Sequence, residues 1–215
     1  MKVKILSALI MLSVLLSACG FWGVRGNGRV KEEDRTISAF EKLDAGGAFT
    51  IKVRVGPSPS LKISAEENLL SYIRTSVRGD RLVIDTRKNI SPRKEILIEI
   101  TTPSLSSVDV SGANNVTINN ISGNDFNMQL SGAGHIYADG DIDNLDAELS
   151  GAGSIDAKSL KAKNVRVTVS GAASADVFAK ESLDASVSGV GSIDYFGDPE
   201  KTRTNVSGVG SINRK

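Results

Sequence analysis

The sequence predicts an all-β fold: a right-handed parallel β-helix (β-solenoid) with repeats of about 19 residues and an irregular, wider N-terminal part or cap. The first observation behind this prediction is a Ser-Gly motif that recurs six times in the second half of the chain. The second is the alternation of apolar and polar residues before each motif, the period of a strand with one buried face. The third is the composition, with 21 glycines in 215 residues and only 5% aromatic residues, which suits tight turns and thin layers.

The repeat determines the kind of β fold. The first glycines of the six motifs are Gly112, Gly132, Gly151, Gly171, Gly189 and Gly208, at steps of 20, 19, 20, 18 and 19 residues. A propeller blade needs roughly 40 residues, and the leucine-rich signature is missing. One turn of a parallel β-helix fits, because stacked turns bury a core that no single turn can bury. We therefore predict six regular repeats over residues 106–213.

Each repeat is predicted to contain two short strands joined at a Gly corner. The first strand faces the core with its apolar residues, namely Phe126/Met128/Leu130, Leu145/Ala147/Leu149, Val165/Val167/Val169 and Leu183/Ala185/Val187. The second carries one apolar anchor, such as Ile155. Stacking would align the motif serines as a hydrogen-bonded hydroxyl ladder. It would also align Asp156, Asp176 and Asp194 with Asn213 as an outer polar ladder.

Residues 36–105 are less regular, and we interpret them as first rungs or a cap, because solenoids need atypical end units. Segments rich in β-branched residues predict strands at 50–55, 61–63, 81–85 and 95–100. Ser64 and Glu67 resemble a capping box and predict one short helix. A separate domain is the alternative. A single domain over 36–213 is favoured, because no Gly/Ser/Pro linker divides Ile100 from Val110.

The N-terminus has the pattern of an export signal. Lys2 and Lys4 precede an apolar stretch over residues 5–16, which is too short to span a bilayer as a helix. Leu-Ser-Ala-Cys follows and resembles the lipobox of bacterial lipoproteins, with Cys19, the only cysteine, at the lipidated position. We predict a lipoprotein signal peptide over 1–18, acylated (palmitate) Cys19 and a flexible tether over 19–35; an ordinary signal peptide is the alternative.

The repeats also resemble a known family. The recurring Ser-Gly-Ala/Val-Gly-x-Ile-Asp/Asn, the upstream segment Phe40-Glu-Lys-Leu-Asp-Ala-Gly-Gly-Ala-Phe-Thr-Ile-Lys-Val and Ala65-Glu-Glu-Asn-Leu-Leu are similar to the head GIN domain family of putative auto-transporter adhesins. The resemblance covers roughly residues 36–213. It implies a β-helical extracytoplasmic domain, often on lipoproteins, with no established catalytic residues.

Several kinds of chemistry are disfavoured. The 26 Lys+Arg and 25 Asp+Glu leave a formal charge of +1, which argues against a nucleic-acid-binding surface. One cysteine and one histidine exclude an intrachain disulfide and make a Cys/His zinc site unfavourable. A Ser/His/Asp triad would have to use His135, which we interpret as a solvated repeat variant. Asp139, Asp141, Asp143 and Asp146 could hold calcium but lack a known calcium-loop order, so solvated turn residues are favoured. We predict no catalytic residue, cofactor or metal site.

The function predicted from these features is that of a non-catalytic cell-envelope lipoprotein whose rod serves binding, adhesion or envelope scaffolding. The expected location is the outer membrane, through the lipid anchor, and the expected ligand is a glycan or an envelope protein. The alternative is a polysaccharide lyase or hydrolase on a β-helix, which is disfavoured because the repeats carry few arginines and aromatic residues. Threonines in the last strand and a charged tail predict a monomer.

Overall fold

The computed structural model describes residues 23–215, and the predicted signal peptide and Cys19 lie outside the described residues. Nine strands precede the regular repeats within that range: β1 (Val24–Arg25), β2 (Val30–Arg35), β3 (Lys42–Gly47), β4 (Thr50–Val55), β5 (Ser60–Glu66), β6 (Ile73–Arg78), β7 (Arg81–Thr86), β8 (Ile90–Ser91) and β9 (Leu97–Thr102). A 3₁₀ helix, Leu70–Tyr72, lies between β5 and β6. The repeats form β10 (Ser107–Gly112), β11 (Asn115–Gly132), β12 (His135–Gly151), β13 (Ser154–Gly171), β14 (Ser174–Gly189), β15 (Ser192–Phe196), β16 (Lys201–Gly208) and β17 (Ser211–Arg214).

The repeats stack as parallel strands and form a β-solenoid, which confirms the predicted fold class. The solenoid has about five turns, whereas the sequence predicts six repeats. The register is the one that the motifs imply: Leu149 pairs with Val169, which pairs with Val187 on the next turn. All three side chains are at most 1% exposed. The predicted inward-facing apolar residues of β11 to β14 are all buried in the same hydrophobic cluster.

The structure differs from the prediction of two short strands per repeat. The strands β11 to β14 are 16 to 18 residues long and continue through the bends of each turn. Neighbouring turns bend at matching positions, so their backbones stay paired, with register shifts only at places such as Ile118/Ile121. The motif serines are also aligned. However, no hydrogen bond joins their hydroxyls within residues 23–215, so the predicted hydroxyl ladder is wrong in that respect.

Glycine is required at the corners because the turns approach closely there. Gly151 has a φ of +125°, a backbone conformation that L side chains rarely adopt. A Cβ at this position would lie 2.5 Å from the carbonyl oxygen of Gly132 on the turn below. The repetition of Ser-Gly therefore follows from the stacking itself.

The N-terminal half continues the two stacked faces and then changes strand direction. On one face β7 pairs in parallel with β3, and β6 pairs antiparallel with β7. On the next face β9 pairs in parallel with β4, β5 pairs antiparallel with β9, and β2 pairs antiparallel with β5. One hydrophobic cluster extends from Phe40 to Ile193 without interruption between the halves. We call the strands β1, β2 and β5 to β9 the cap.

The predicted short helix is wrong. Ser64 lies within β5, where it pairs with Leu97 of β9 on one side and with Glu32 of β2 on the other. Leu70–Tyr72 forms a single 3₁₀ turn, which has no side-chain cap hydrogen bond.

The predicted flexible tether is corrected for residues 24–35, since this segment contains β1 and β2. Strand β1 pairs with β8, and β2 pairs with β5. Between them, the buried carboxylate of Glu66 accepts a hydrogen bond from the backbone N–H of Gly28. A Cβ at Gly26 would collide with the same carboxylate. The segment is therefore held against the cap by contacts that its glycine-rich sequence does not reveal.

Candidate binding groove

A groove of about 1150 Å³ runs along the stacked repeats, beside the strand segments that lie five to seven residues before the Ser-Gly corners. Two columns of polar side chains line it. The first lies seven residues before each repeat glycine and contains Asp125, Asn144, Asn164, Ser182 and Lys201. The second lies five residues before each repeat glycine and contains Asn127, Asp146, Arg166, Asp184 and Arg203, with Lys42 and Arg81 further along at the cap end. We call this feature the groove.

From Asp125 to Ser182 the first column is a continuous hydrogen-bonded ladder. Asn144 Nδ2 donates to Asp125 Oδ1 over 2.8 Å, and Asn164 Nδ2 donates to Asn144 Oδ1 over 3.0 Å. Ser182 Oγ then donates to Asn164 Oδ1 over 2.7 Å. Each amide uses one N–H in the ladder and keeps a second N–H for another partner. The ladder is therefore an ordered row of polar groups that a ligand can contact at each turn.

The second column places unpaired cations along the groove. Asp146, Arg166, Asp184 and Arg203 alternate in sign on successive turns. Within residues 23–215, neither arginine has a carboxylate oxygen within 4.0 Å, and both are exposed. The arginines are two turns apart, or about 10 Å at the usual spacing of paired strands. Two exposed guanidinium groups at this spacing can bind acidic groups of one elongated ligand.

Aromatic stacking contributes little to the groove. Phe126 is the aromatic residue in its lining, and the side chain is only 2% exposed because it faces the core. Recognition in the groove would therefore depend on hydrogen bonds and charge.

The side chains that the sequence offers for a catalytic triad or a calcium site do not come together in one place. His135 is exposed, and its Nδ1 lies 2.8 Å from Ser154 Oγ on the next turn. Asp139 accepts hydrogen bonds from Asn119 Nδ2 and from the backbone N–H of Asn120. Asp143 forms an ion pair with Lys163 at 2.6 Å, whereas Asp146 lines the groove. Among the residues that the structure describes, no group of three or more His, Cys, Asp or Glu side chains has the arrangement of a metal site.

The predicted outer polar ladder is present on a different face. Asp156, Asp176 and Asp194 are in register with Asn213, and Asn213 Nδ2 donates to Asp194 Oδ1 over 3.0 Å. That hydrogen bond and Lys215 lower the pKa of Asp194. Partial burial, and then the carboxylates above and below it, raise the pKa of Asp176 although Lys158 opposes them.

From the sequence, Asp146 is considered only as a possible calcium ligand, and the two polar columns of the groove are not identified. The usable signal was their fixed offset from the repeat glycines: polar or charged residues occur seven and five positions before each of Gly132, Gly151, Gly171, Gly189 and Gly208. In a solenoid a fixed offset means a common column, because equivalent residues stack on successive turns.

Comparison with known proteins identifies the family. The family model described as putative auto-transporter adhesin, head GIN domain, matches residues 39–199. This chain belongs to the head GIN domain family. No curated protein matches the chain.

Solved structures have the same fold as this head GIN domain. A putative adhesin from Bacteroides fragilis is 24% identical, with a TM-score of 0.75, over 90% of this chain and 100% of that one. A putative adhesin from Parabacteroides distasonis is 16% identical, with a TM-score of 0.59, over 90% and 100%. A putative lipid binding protein from the same organism is 21% identical, with a TM-score of 0.52, over 89% and 99%. In the described part of the head GIN domain chain, no helix is both long and apolar enough for a membrane span.

Proposed function

We propose that this protein is a non-catalytic adhesion module of the cell envelope, and that its groove binds an acidic glycan lying along the solenoid. The observation that carries the proposal is the pair of unpaired arginines, Arg166 and Arg203, beside the amide ladder. Family membership supports an adhesion role at the envelope or cell surface.

The chemistry of the groove favours a polar polymer over a compact ligand. The ladder offers hydrogen-bonding groups on successive turns, so a chain of sugar hydroxyls parallel to the axis can contact several of them. Arg166 and Arg203 can each form charge-assisted hydrogen bonds with a carboxylate or sulfate group. Asp184 lies between the two arginines in the column, and Asp146 lies on the other side of Arg166. A uniformly dense polyanion therefore fits less well than a glycan with spaced acidic groups.

The test is binding of acidic and neutral polysaccharides to the wild type and to Arg166→Ala/Arg203→Ala, measured by calorimetry. Hydrogen bonds to charged groups contribute about 1.5–3 kcal/mol each, so we expect the double variant to lose at least about tenfold in affinity for acidic glycans. Arg54→Ala/Arg78→Ala removes two exposed arginines outside the groove and should bind like the wild type. Equal losses in both variants, or equal wild-type affinity for neutral and acidic chains, would contradict the proposal.

The proposal includes attachment to the outer membrane through acylated Cys19, supported by the lipobox-like sequence. We expect Cys19→Ser to abolish palmitate labelling and to move the protein out of the membrane fraction. A single acyl chain binds membranes only marginally, so stable anchoring needs further acyl chains or a second signal. Absence of palmitate label from the wild type, together with unchanged membrane fractionation of the variant, would refute this part.

A further inference from the structure

The loop around β8 is the most basic segment of the described structure. Residues 87–94 read Arg-Lys-Asn-Ile-Ser-Pro-Arg-Lys, with four cations and no acidic residue. All four cationic side chains are exposed, and Arg25 lies on the neighbouring strand, opposite Ser91. None of these five cations has a carboxylate oxygen within 4.0 Å in the described range 23–215. We call Arg25, Arg87, Lys88, Arg93 and Lys94 the basic loop cluster.

Backbone and side-chain contacts hold this loop in place. The backbone N–H groups of Arg93 and Lys94 donate to Glu66 Oε2 over 2.7 and 3.3 Å, and that of Arg87 donates to Tyr72 O over 2.8 Å. The Lys88 ammonium lies 5.9 Å from the centre of the Tyr72 ring. Since the loop is already ordered, its cations can meet a charged surface at little cost in backbone entropy.

The carboxylates Glu66, Glu67 and Glu95 form no ion pair with the cations of the loop. Glu66 is buried beneath it and is held by three backbone N–H groups. Glu95 accepts a hydrogen bond from Thr50 Oγ1 at 2.5 Å, and Glu67 pairs with Arg29 and Asn27. The positive charge of the basic loop cluster is therefore available to an external anionic partner.

The position of the loop indicates which partner that is. Strand β1 pairs with β8, so the chain enters the described fold beside the loop. Cys19 precedes Gly23 by four residues, which span at most about 14 Å when fully extended. The predicted lipid attachment point therefore cannot be far from the basic loop cluster, and the nearest large anionic surface is the lipid headgroup layer.

The distribution of charge along residues 23–215 indicates which end of the molecule would face such a surface. Residues 23–105 carry 15 Lys+Arg and 11 Asp+Glu, whereas residues 106–215 carry 9 and 14. Residues 23–105, which contain the cap, are thus net positive, and residues 106–215, which contain the repeats, are net negative. An anionic surface attracts the first and repels the second.

We propose that the basic loop cluster docks on the anionic phospholipid headgroups of the membrane, so that the cap faces the bilayer and the repeats with their groove point away from it. The proposal rests on the proposed lipid anchoring for its orientation argument. The contact would supply a second signal for stable anchoring, which further acyl chains can also provide.

The experiment is flotation of the unacylated protein, residues 20–215, with phospholipid vesicles. This chain contains every strand of the described fold and the whole hydrophobic cluster. The vesicles are either zwitterionic phosphatidylcholine or a mixture with phosphatidylglycerol. We expect binding to the anionic vesicles only, and we expect high salt to abolish it. No binding to either vesicle, or equal binding to both, would overturn the proposal.

A pair of charge-matched variants tests whether the basic loop cluster is the part of the protein that contacts the vesicle. Arg87→Gln/Lys88→Gln/Arg93→Gln/Lys94→Gln should lower the partition coefficient at least about tenfold, because each cation near an anionic surface contributes appreciably. Lys52→Gln/Arg54→Gln/Arg78→Gln/Lys180→Gln removes the same charge from exposed positions elsewhere and should change it less than about twofold. Melting curves confirm that both variants fold. Equal losses would show attraction by net charge alone and would overturn the assignment to the loop.

Two further results distinguish this proposal from docking on a different lipid and from the proposed lipid anchor at Cys19. Binding only to vesicles that contain lipopolysaccharide would overturn the choice of phospholipid. Absence of palmitate label from the wild type, together with vesicle binding by the unacylated chain, would refute the lipid anchor and leave the docking of the basic loop cluster intact. A labelled wild type whose unacylated chain does not bind vesicles would refute only the docking proposal.

Discussion

At the scale of single residues, Glu66 connects three parts of the cap. Its side chain is fully buried at the end of β5, and its two oxygens accept hydrogen bonds from the backbone of Gly28 on one side and of Arg93 and Lys94 on the other. Burial alone would raise the pKa of Glu66, but the three N–H donors outweigh it, and the pKa is lowered from its usual 4.5. The charged form is therefore part of the folded structure.

We expect Glu66→Gln to destabilise the domain by about 1–3 kcal/mol, because the amide NH₂ must face at least one backbone N–H that now has no acceptor. A carboxylate with a lowered pKa contributes stability above its unfolded value of 4.5, and this contribution is lost as the pH falls through the folded value. Urea unfolding at about pH 7 and about pH 3 should show a gap between wild type and variant that narrows in acid. A gap that is the same at both pH values would contradict this account.

At the scale of the element, each strand of the rod is defined by which of its residues face the interior. In β13 the buried Val167 and Val169 flank Thr168, which points outward in register with Glu148 and Ser186. Since the side-chain period of a strand is two, a shift of one residue would exchange the two faces. The stacking of equivalent residues therefore allows only one register.

Adjacent substitutions in β13 test this register. Val169→Asp places an unpaired carboxylate between the buried Leu149 and Val187, and we expect a loss of about 3 kcal/mol or more. Thr168→Asp introduces the same group on the outer face and should cost less than about 1 kcal/mol. Thermal unfolding followed by circular dichroism compares them. Equal melting temperatures for the two variants would show that the assigned faces are wrong.

At the scale of the whole molecule, the stacked sheet ends in polar strands. At the cap end, β2 reads Val-Lys-Glu-Glu-Asp-Arg, with five charged residues in six. At the other end, β16 is exposed along its whole length, and its inward positions include Thr202 and Thr204. Exposed strand edges favour association, and charged or polar residues on them discourage it.

We therefore expect a monomer at low micromolar concentration. Analytical ultracentrifugation of residues 20–215 over a range of concentrations measures this directly. A matched variant, Lys31→Val/Glu33→Val, makes the β2 edge more apolar and should raise the tendency to associate. A wild-type dimer or trimer whose population does not depend on concentration would contradict the expectation and would indicate that the ends are covered by assembly.

The sequence by itself determined the repeats, their strand register and the glycine corners, because these depend on interactions that recur at one fixed separation along the chain. Val169 could be placed between Leu149 and Val187 from spacing alone. The cap could not be predicted in the same way: β2 pairs with β5 across a Gly-rich segment, and Glu66 joins residues 38 positions before it and 27 after it. Such contacts occur once, so no period reveals them. The groove lies between these cases, since its columns have a constant offset in the sequence, but only the stacked turns place Asn164, Arg166 and Arg203 along one surface.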